Sequence, residues 1–209
     1  GTEKDIWIDY FTGDQYRGGQ VLNNFEAPLW KLPLFVRANA IVPMYEPNNS
    51  PDQVDRTVRN VEFFATQGDN EYTLYEDDGT YVENKIDESD EEYGREATIS
   101  YGSNVKTKFT SSAKGDTATF KAGKSEGGYD GYDSNRSTTF VVNVSAKPQE
   151  IVAKNGDEQL KVTTVASQEE FDAAKPAAGE AVYFYNEKPN LNYNATAESE
   201  SVRKEGFSS

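Results

Sequence analysis

Between residues 97 and 144 the chain alternates apolar and polar positions in short runs, and this period of two restricts it to half-buried strands. Ala97, Ile99 and Tyr101 share one face of such a strand. Val105, Thr107 and Phe109 share another, as do Ala118 with Phe120, and Phe140 with Val142 and Val144. Turn chemistry punctuates the alternating segments at Asp78-Gly79, Gly102-Ser103-Asn104, Lys114-Gly115-Asp116 and Asn155-Gly156-Asp157. Asn155-Gly156 reads as the centre of a type I′ hairpin, where both central residues take positive φ. The 13 Tyr and 11 Phe suit pleated strands better than helices. One segment departs from the pattern: SQEEFDAAK, residues 167–175, opens with Ser167 and has Glu170 three positions on, the spacing of a capping box. The expected fold is all-β, two antiparallel β-sandwich domains with at most one short helix near 167–175.

Three zones divide the chain. Residues 1–55 hold both tryptophans and the apolar stretch PLWKLPLFVRANAIVPMY. Residues 56–190 carry the strand meander, and the polar residues 191–209 read as a linker or tail. Proline cannot donate to a central ladder, so Pro43, Pro47 and Pro51 place the join between sandwiches near 46–57. ENKIDESDEEYGRE, residues 83–96, reads as a solvated acidic loop.

What the chain lacks narrows its chemistry further. It has no cysteine, so no disulfide framework and no thiolate zinc site can form. It has no histidine, which removes Ser-His and Cys-His nucleophiles and every imidazole-ligated metal. A formal charge of −15 argues against a nucleic-acid partner and against an anionic membrane surface. No apolar run approaches the roughly 18 residues that suit a membrane span, so neither a membrane span nor a signal peptide is expected within these residues. Gly1 is not an initiator methionine, so the chain is expected to be a piece of something longer.

Three consecutive carboxylates, Glu76, Asp77 and Asp78, stand out in TLYEDDGTY. On a strand, Glu76 and Asp78 would lie on one side roughly 6.6 to 6.8 Å apart. Inverting glycosidases use separations of about that size, whereas retaining enzymes need about 5 to 5.5 Å. The plainer reading is a turn at Asp78-Gly79 whose carboxylates accept backbone N–H bonds. An oxygen-only set also suits calcium, with Glu76, Asp77 and Asp78 as its ligands, although the EF-hand spacing is not met.

The order WIDYFTGDQYRGG, then LPLFVRANAIVPMY, then TLYEDDGTY resembles the C-terminal region of glycoside hydrolase family 31, the α-glucosidase and α-xylosidase family. Trp7 to Gly13 is similar to the family's Trp-x-Asp-x-x-Thr-Gly turn, and Leu34 to Pro43 to its Phe-Val-Arg-x-Gly-x-Ile-Pro strand pair. Leu74 to Gly79 resembles its Leu-Tyr-Glu-Asp-Asp-Gly turn, and Gly128 to Tyr132 with Arg136 its Gly-x-Tyr-x-Gly then Arg stretch. Together these segments cover residues 5–156. Where the family has glycine this chain has Asn39, the non-glycine residue that best tolerates a left-handed conformation.

The resemblance implies that residues 1–55 are the proximal β-domain and residues 56–190 the distal β-sandwich, following a (β/α)8 barrel of the same parent chain, which would be this region's partner. The parent would be a retaining α-glycosidase or an α-glucosyltransferase. The family's catalytic aspartates lie on barrel strands, and Asp9 matches their motif only superficially, so no catalytic residue is carried over. The alternative is a free-standing carbohydrate-binding or cell-surface module, in which Tyr129 and Tyr132, with Trp7 and Trp30, would stack on glycan. Coplanar, exposed tyrosines would favour the module; exposed apolar residues around 25–44 would favour a barrel contact. An extracellular or cell-surface bacterial location is expected over a cytoplasmic one.

Overall fold

The computed structural model describes residues 1–27, 32–46, 48–66, 68–79, 83–86, 97–100 and 102–187. Trp30, Pro47, Tyr101, most of the acidic run and the tail lie outside the described residues. The chain forms two compact units. One comprises residues 1–9, 13–26 and 33–143, and the other gathers the described residues of 10–12, 27–32 and 144–209.

In the first unit, β1 (Ile6–Asp9), β2 (Gln15–Arg17) and β3 (Phe35–Arg37) form an antiparallel sheet in the order β2-β1-β3. β4 (Ile41–Met44) and β5 (Val58–Phe64) begin a second sheet, and β6 (Gly68–Asp77) a third. β7 (Glu83–Ile86) pairs with β8 (Ala97–Ser100), so the first four residues of the acidic run are strand, where a loop was expected. The third sheet adds β9 (Asn104–Lys114), β10 (Thr117–Ala122) and β11 (Glu126–Gly127). There β6 pairs with one edge of β9, and β10 and β11 with the other. β12 (Ser137–Asn143) returns to the second sheet, giving the order β12-β5-β4. The 46–57 segment is the connection between β4 and β5, which pair antiparallel, and Pro43 lies on the outer strand of that sheet, where a missing N–H is tolerated.

The second and third sheets meet through their apolar faces. Ile41, Val61, Phe63 and Phe109 are buried, and Leu74, Phe120, Ala122 and Val142 pack against them. Phe63 lies 4.8 Å from Phe120 and edge-on to Phe140 at 5.4 Å, ring centroid to centroid. The predicted faces Val105/Thr107/Phe109 and Phe120 turn inward as their alternation requires.

In the second unit, β13 (Lys154–Asn155) and β14 (Glu158–Gln159) form a hairpin. β15 (Lys161–Thr164) runs parallel to β16 (Glu180–Tyr183), with the helix α1 (Gln168–Ala173) in the crossover. The Ser167 side chain accepts from Glu170 N–H at 3.2 Å, as a cap should, while the Glu170 carboxylate reaches back to Ala166 N–H at 2.8 Å. Two further details differ from expectation. The hairpin register puts Gly156-Asp157 at the centre, and only Gly156 has positive φ, the II′ pattern. The pairs β5–β12 and β15–β16 are parallel. Alternation is the same for either direction, so local pattern could not tell them apart.

Asn39 has φ 65°, as the glycine substitution required, and Ala40 N–H donates to Arg37 O at 3.0 Å across the turn. The turn is a corner, carrying the chain from β3 in the first sheet to β4 in the second. Asn39 does more than tolerate the conformation. Its Oδ1 accepts from the buried Ser111 hydroxyl at 3.2 Å, and its carbonyl accepts from Asn70 Nδ2 at 2.6 Å. Asn39→Gly keeps the turn but orphans Ser111, so it should cost about 1 kcal/mol in urea unfolding. Asn39→Val adds backbone strain and should cost clearly more.

Candidate functional site

Leu74 and Glu76 are two apart on β6 and so share its core-facing side, which puts a carboxylate on an apolar face. Glu76 is 7% exposed, and a buried charge needs a matching one. Three other segments supply groups for it. Arg136, immediately before β12, donates from Nη1 to Glu76 Oε1 at 2.6 Å. Tyr45, just beyond β4, donates its hydroxyl to the same oxygen. Arg59, on the Val61/Phe63 side of β5, brings Nη1 to 4.0 Å from Oε2, an ion pair without a hydrogen bond.

The arginines are themselves held. Arg136 Nε donates to Asp133 O at 2.9 Å, and its guanidinium carbon lies 4.6 Å from the Tyr132 ring centroid. Arg59 Nε donates to Thr138 Oγ1 at 3.2 Å, with its guanidinium 5.2 Å from the Phe109 centroid. Burial, then the hydrogen bond and charge of Glu76, push the Tyr45 phenol up to about 12, which keeps it a donor. Burial pulls both guanidinium groups down. For Arg136 the direct bond and charge of Glu76 outweigh it and the shift is upward; for Arg59, at longer range, burial prevails and the shift is downward.

The three sequence-predicted carboxylates do not converge. Glu76 is locked in this cluster. Asp77 Oδ1 accepts from Gly79 N–H at 3.0 Å, the Asx-type turn expected, and Asp78 is exposed. Among the described residues no group of three or more metal-binding side chains is gathered. Tyr129 and Tyr132 do come together, with ring centroids 5.3 Å apart, but their planes are tilted by 58° and both are half-buried. One face of Tyr132 carries Arg136, so the pair is no flat platform. Trp7 is half-buried. Val21, Leu22, Leu32 and Leu34 are exposed large apolar residues within one short sequence stretch, and Val21 is the most exposed at 80%.

A shallow, open groove on the outer face of β6, β9 and β10 is lined by Asp69, Glu71, Ser112, Thr119 and Lys121. Its carboxylates are paired with lysines, Asp69 with Lys114 at 3.3 Å and Glu71 with Lys108 at 2.6 Å. A general acid needs a water-poor setting, whereas this groove is open to solvent. The arrangement around Glu76 is chemically a clamp. Sequence reasoning missed Tyr45 and Arg59. The signal was there in part: Arg59 shares parity with Val61 and Phe63, as Glu76 does with Leu74, and opposite charges on two apolar faces point to a buried pair.

No protein-family model matches this chain. Over 86 residues, 37% of the chain, it is 34% identical to a 1,6-α-glucosyltransferase of Sporosarcina globispora. Over 77 residues, 36% of the chain, it is 34% identical to α-glucosidase 2 of Bacillus thermoamyloliquefaciens. Over 83 residues, 38% of the chain, it is 32% identical to an α-xylosidase of Saccharolobus solfataricus. The matched stretches span only 7%, 10% and 11% of those three relatives. In fold the chain is similar to a family 31 dextranase of Flavobacterium johnsoniae in two complexes. With isomaltotriose the TM-score is 0.60 at 23% identity, over 87% of this chain and 20% of that one. With glucose it is 0.61 at 23% identity, over 90% and 22%.

Arg136→Ala should cost about 3 to 5 kcal/mol by leaving Glu76 short of its closest cation, which chemical denaturation checks. The raised Tyr45 value gives a pH signature. The folded phenol holds its proton where the unfolded one, at 10.0, releases it, so this stabilisation is complete below pH 10 and is lost as pH climbs toward 12. Thermal midpoints should therefore fall more steeply over that window in the parent protein than in Tyr45→Phe.

Proposed function

Because this chain resembles the C-terminal β-region of glycoside hydrolase family 31 in sequence and in fold, we propose that it is a non-catalytic accessory region that braces the catalytic barrel of a longer parent chain. The parent is a retaining α-glycosidase or α-glucosyltransferase acting on α-linked, glucose-containing oligosaccharides. One observation carries the reading: the chain corresponds to about a fifth of the dextranase chains it resembles, and 87–90% of it is accounted for by that resemblance. The names of the relatives support an α-glucoside substrate class for the parent.

The site chemistry agrees with a supporting role. A retaining mechanism needs two carboxyls about 5 to 5.5 Å apart, one of them protonated at working pH. Glu76 is neutralised by arginines, and Asp78 stands in solvent. Leu32 and Leu34 are exposed within the 25–44 stretch where a barrel contact is expected, which supports a neighbouring domain. Calcium at Glu76 would have to displace two guanidinium groups, so added calcium should leave the thermal midpoint unchanged.

Incubated with aryl α-glucosides and α-linked oligosaccharides, the purified chain should show no turnover. Turnover that disappears in a Glu76→Gln, Asp78→Asn double variant would mean that a catalytic pair has been mistaken for a clamp. Deleting this region from the parent enzyme should lower the barrel's thermal midpoint. A truncated parent with unchanged midpoint and activity would remove the bracing role.

A further inference from the structure

We propose that Asn155 is a site of spontaneous backbone modification, deamidating through a succinimide to aspartate and isoaspartate. Asn155-Gly156 is the one Asn-Gly pair in the sequence, and the hairpin presents it to solvent. Asn155 pairs with Glu158, leaving Gly156 and Asp157 as the loop. Among the described residues no hydrogen bond engages the Asn155 carboxamide or the Gly156 N–H.

The chemistry needs only water and hydroxide. The Gly156 amide nitrogen, once deprotonated, attacks Cγ of Asn155. A new C–N bond closes a five-membered ring, the bond to the side-chain nitrogen breaks, and ammonia leaves with the proton it gains from water. One water then opens the ring. Opening at one carbonyl gives aspartate; opening at the other gives isoaspartate, with the main chain routed through the former side chain. Glycine favours the attack because no Cβ shields its nitrogen. The asparagine must leave strand geometry to reach it, and a ladder of two residue pairs opens readily.

Two other turns show why the site is selective. Lys114-Gly115-Asp116 has the same loop with positive φ at Gly115, but lysine cannot form the ring. At Asp78-Gly79 the glycine N–H is already donated to Asp77 Oδ1 at 3.0 Å, and an ionised carboxylate resists attack. Conversion at Asn155 would add a negative charge beside Asp157 and Glu158. The isoaspartyl form would also lengthen the strand backbone and abolish the Asn155–Glu158 pair.

The test is to hold the intact chain at mildly alkaline pH and 37 °C and map its peptides by mass spectrometry. Asn155 should be the first asparagine to lose ammonia and then take up water, a net exchange of amine for hydroxyl, and Asn155→Gln should lose this signal. First conversion at another asparagine overturns the proposal. So does an unchanged Asn155 over a period in which a free peptide of residues 150–161 converts completely.

Discussion

A carboxylate on the apolar face of β6 sets the terms for the rest of the first unit. Burying Glu76 costs several kcal/mol unless cations and donors reach it, and those come from sequence positions far apart: Tyr45, Arg59 and Arg136. The cluster therefore penalises any register error. Sliding β6 by one residue would turn Glu76 out and Leu74 with it, leaving two arginines buried without their anion.

The path of the chain follows from the same requirement. β5 and β12 are parallel neighbours, so the chain between them must cross over, and it does so by building the whole opposing sheet. Arg136 is the last residue before β12 begins and closes that excursion. Its approach depends on glycine. Gly127 has φ 100°, and a Cβ there would lie 2.1 Å from Asn104 O, while Gly128 N–H donates to that same oxygen at 3.0 Å. Tyr129, Tyr132 and Asp133 then follow in one tight loop that positions the guanidinium. The aromatic motif thus serves the clamp, which leaves the two rings tilted and half-covered.

Much of the strand content was legible because alternation and turn chemistry are local properties. Val105, Thr107 and Phe109 had to share a face whatever lay opposite them, and Ser167 could cap α1 using only its own neighbours. Local signals failed where a choice was made at a distance. The Asn155-Gly156 turn was displaced by one residue because the strand pairing, rather than the dipeptide, sets which residues form the loop. Residues 83–86 carry charges that suit a loop, yet they pair with 97–100 as strand.

Sequence by itself determined the all-β class, the short helix α1, the positive φ at Asn39 and the absence of histidine and cysteine chemistry, because each depends on residue identity and near neighbours. Only the tertiary structure decided that β5 and β12 run parallel, that the Asn39 turn is a corner between sheets with its side chain bonded to Ser111, and that Glu76 is a buried counter-ion. The physical reason is one of range. Backbone conformation and amphipathicity are set within a few residues, whereas the partner of a buried charge is set by which strands the whole chain brings together.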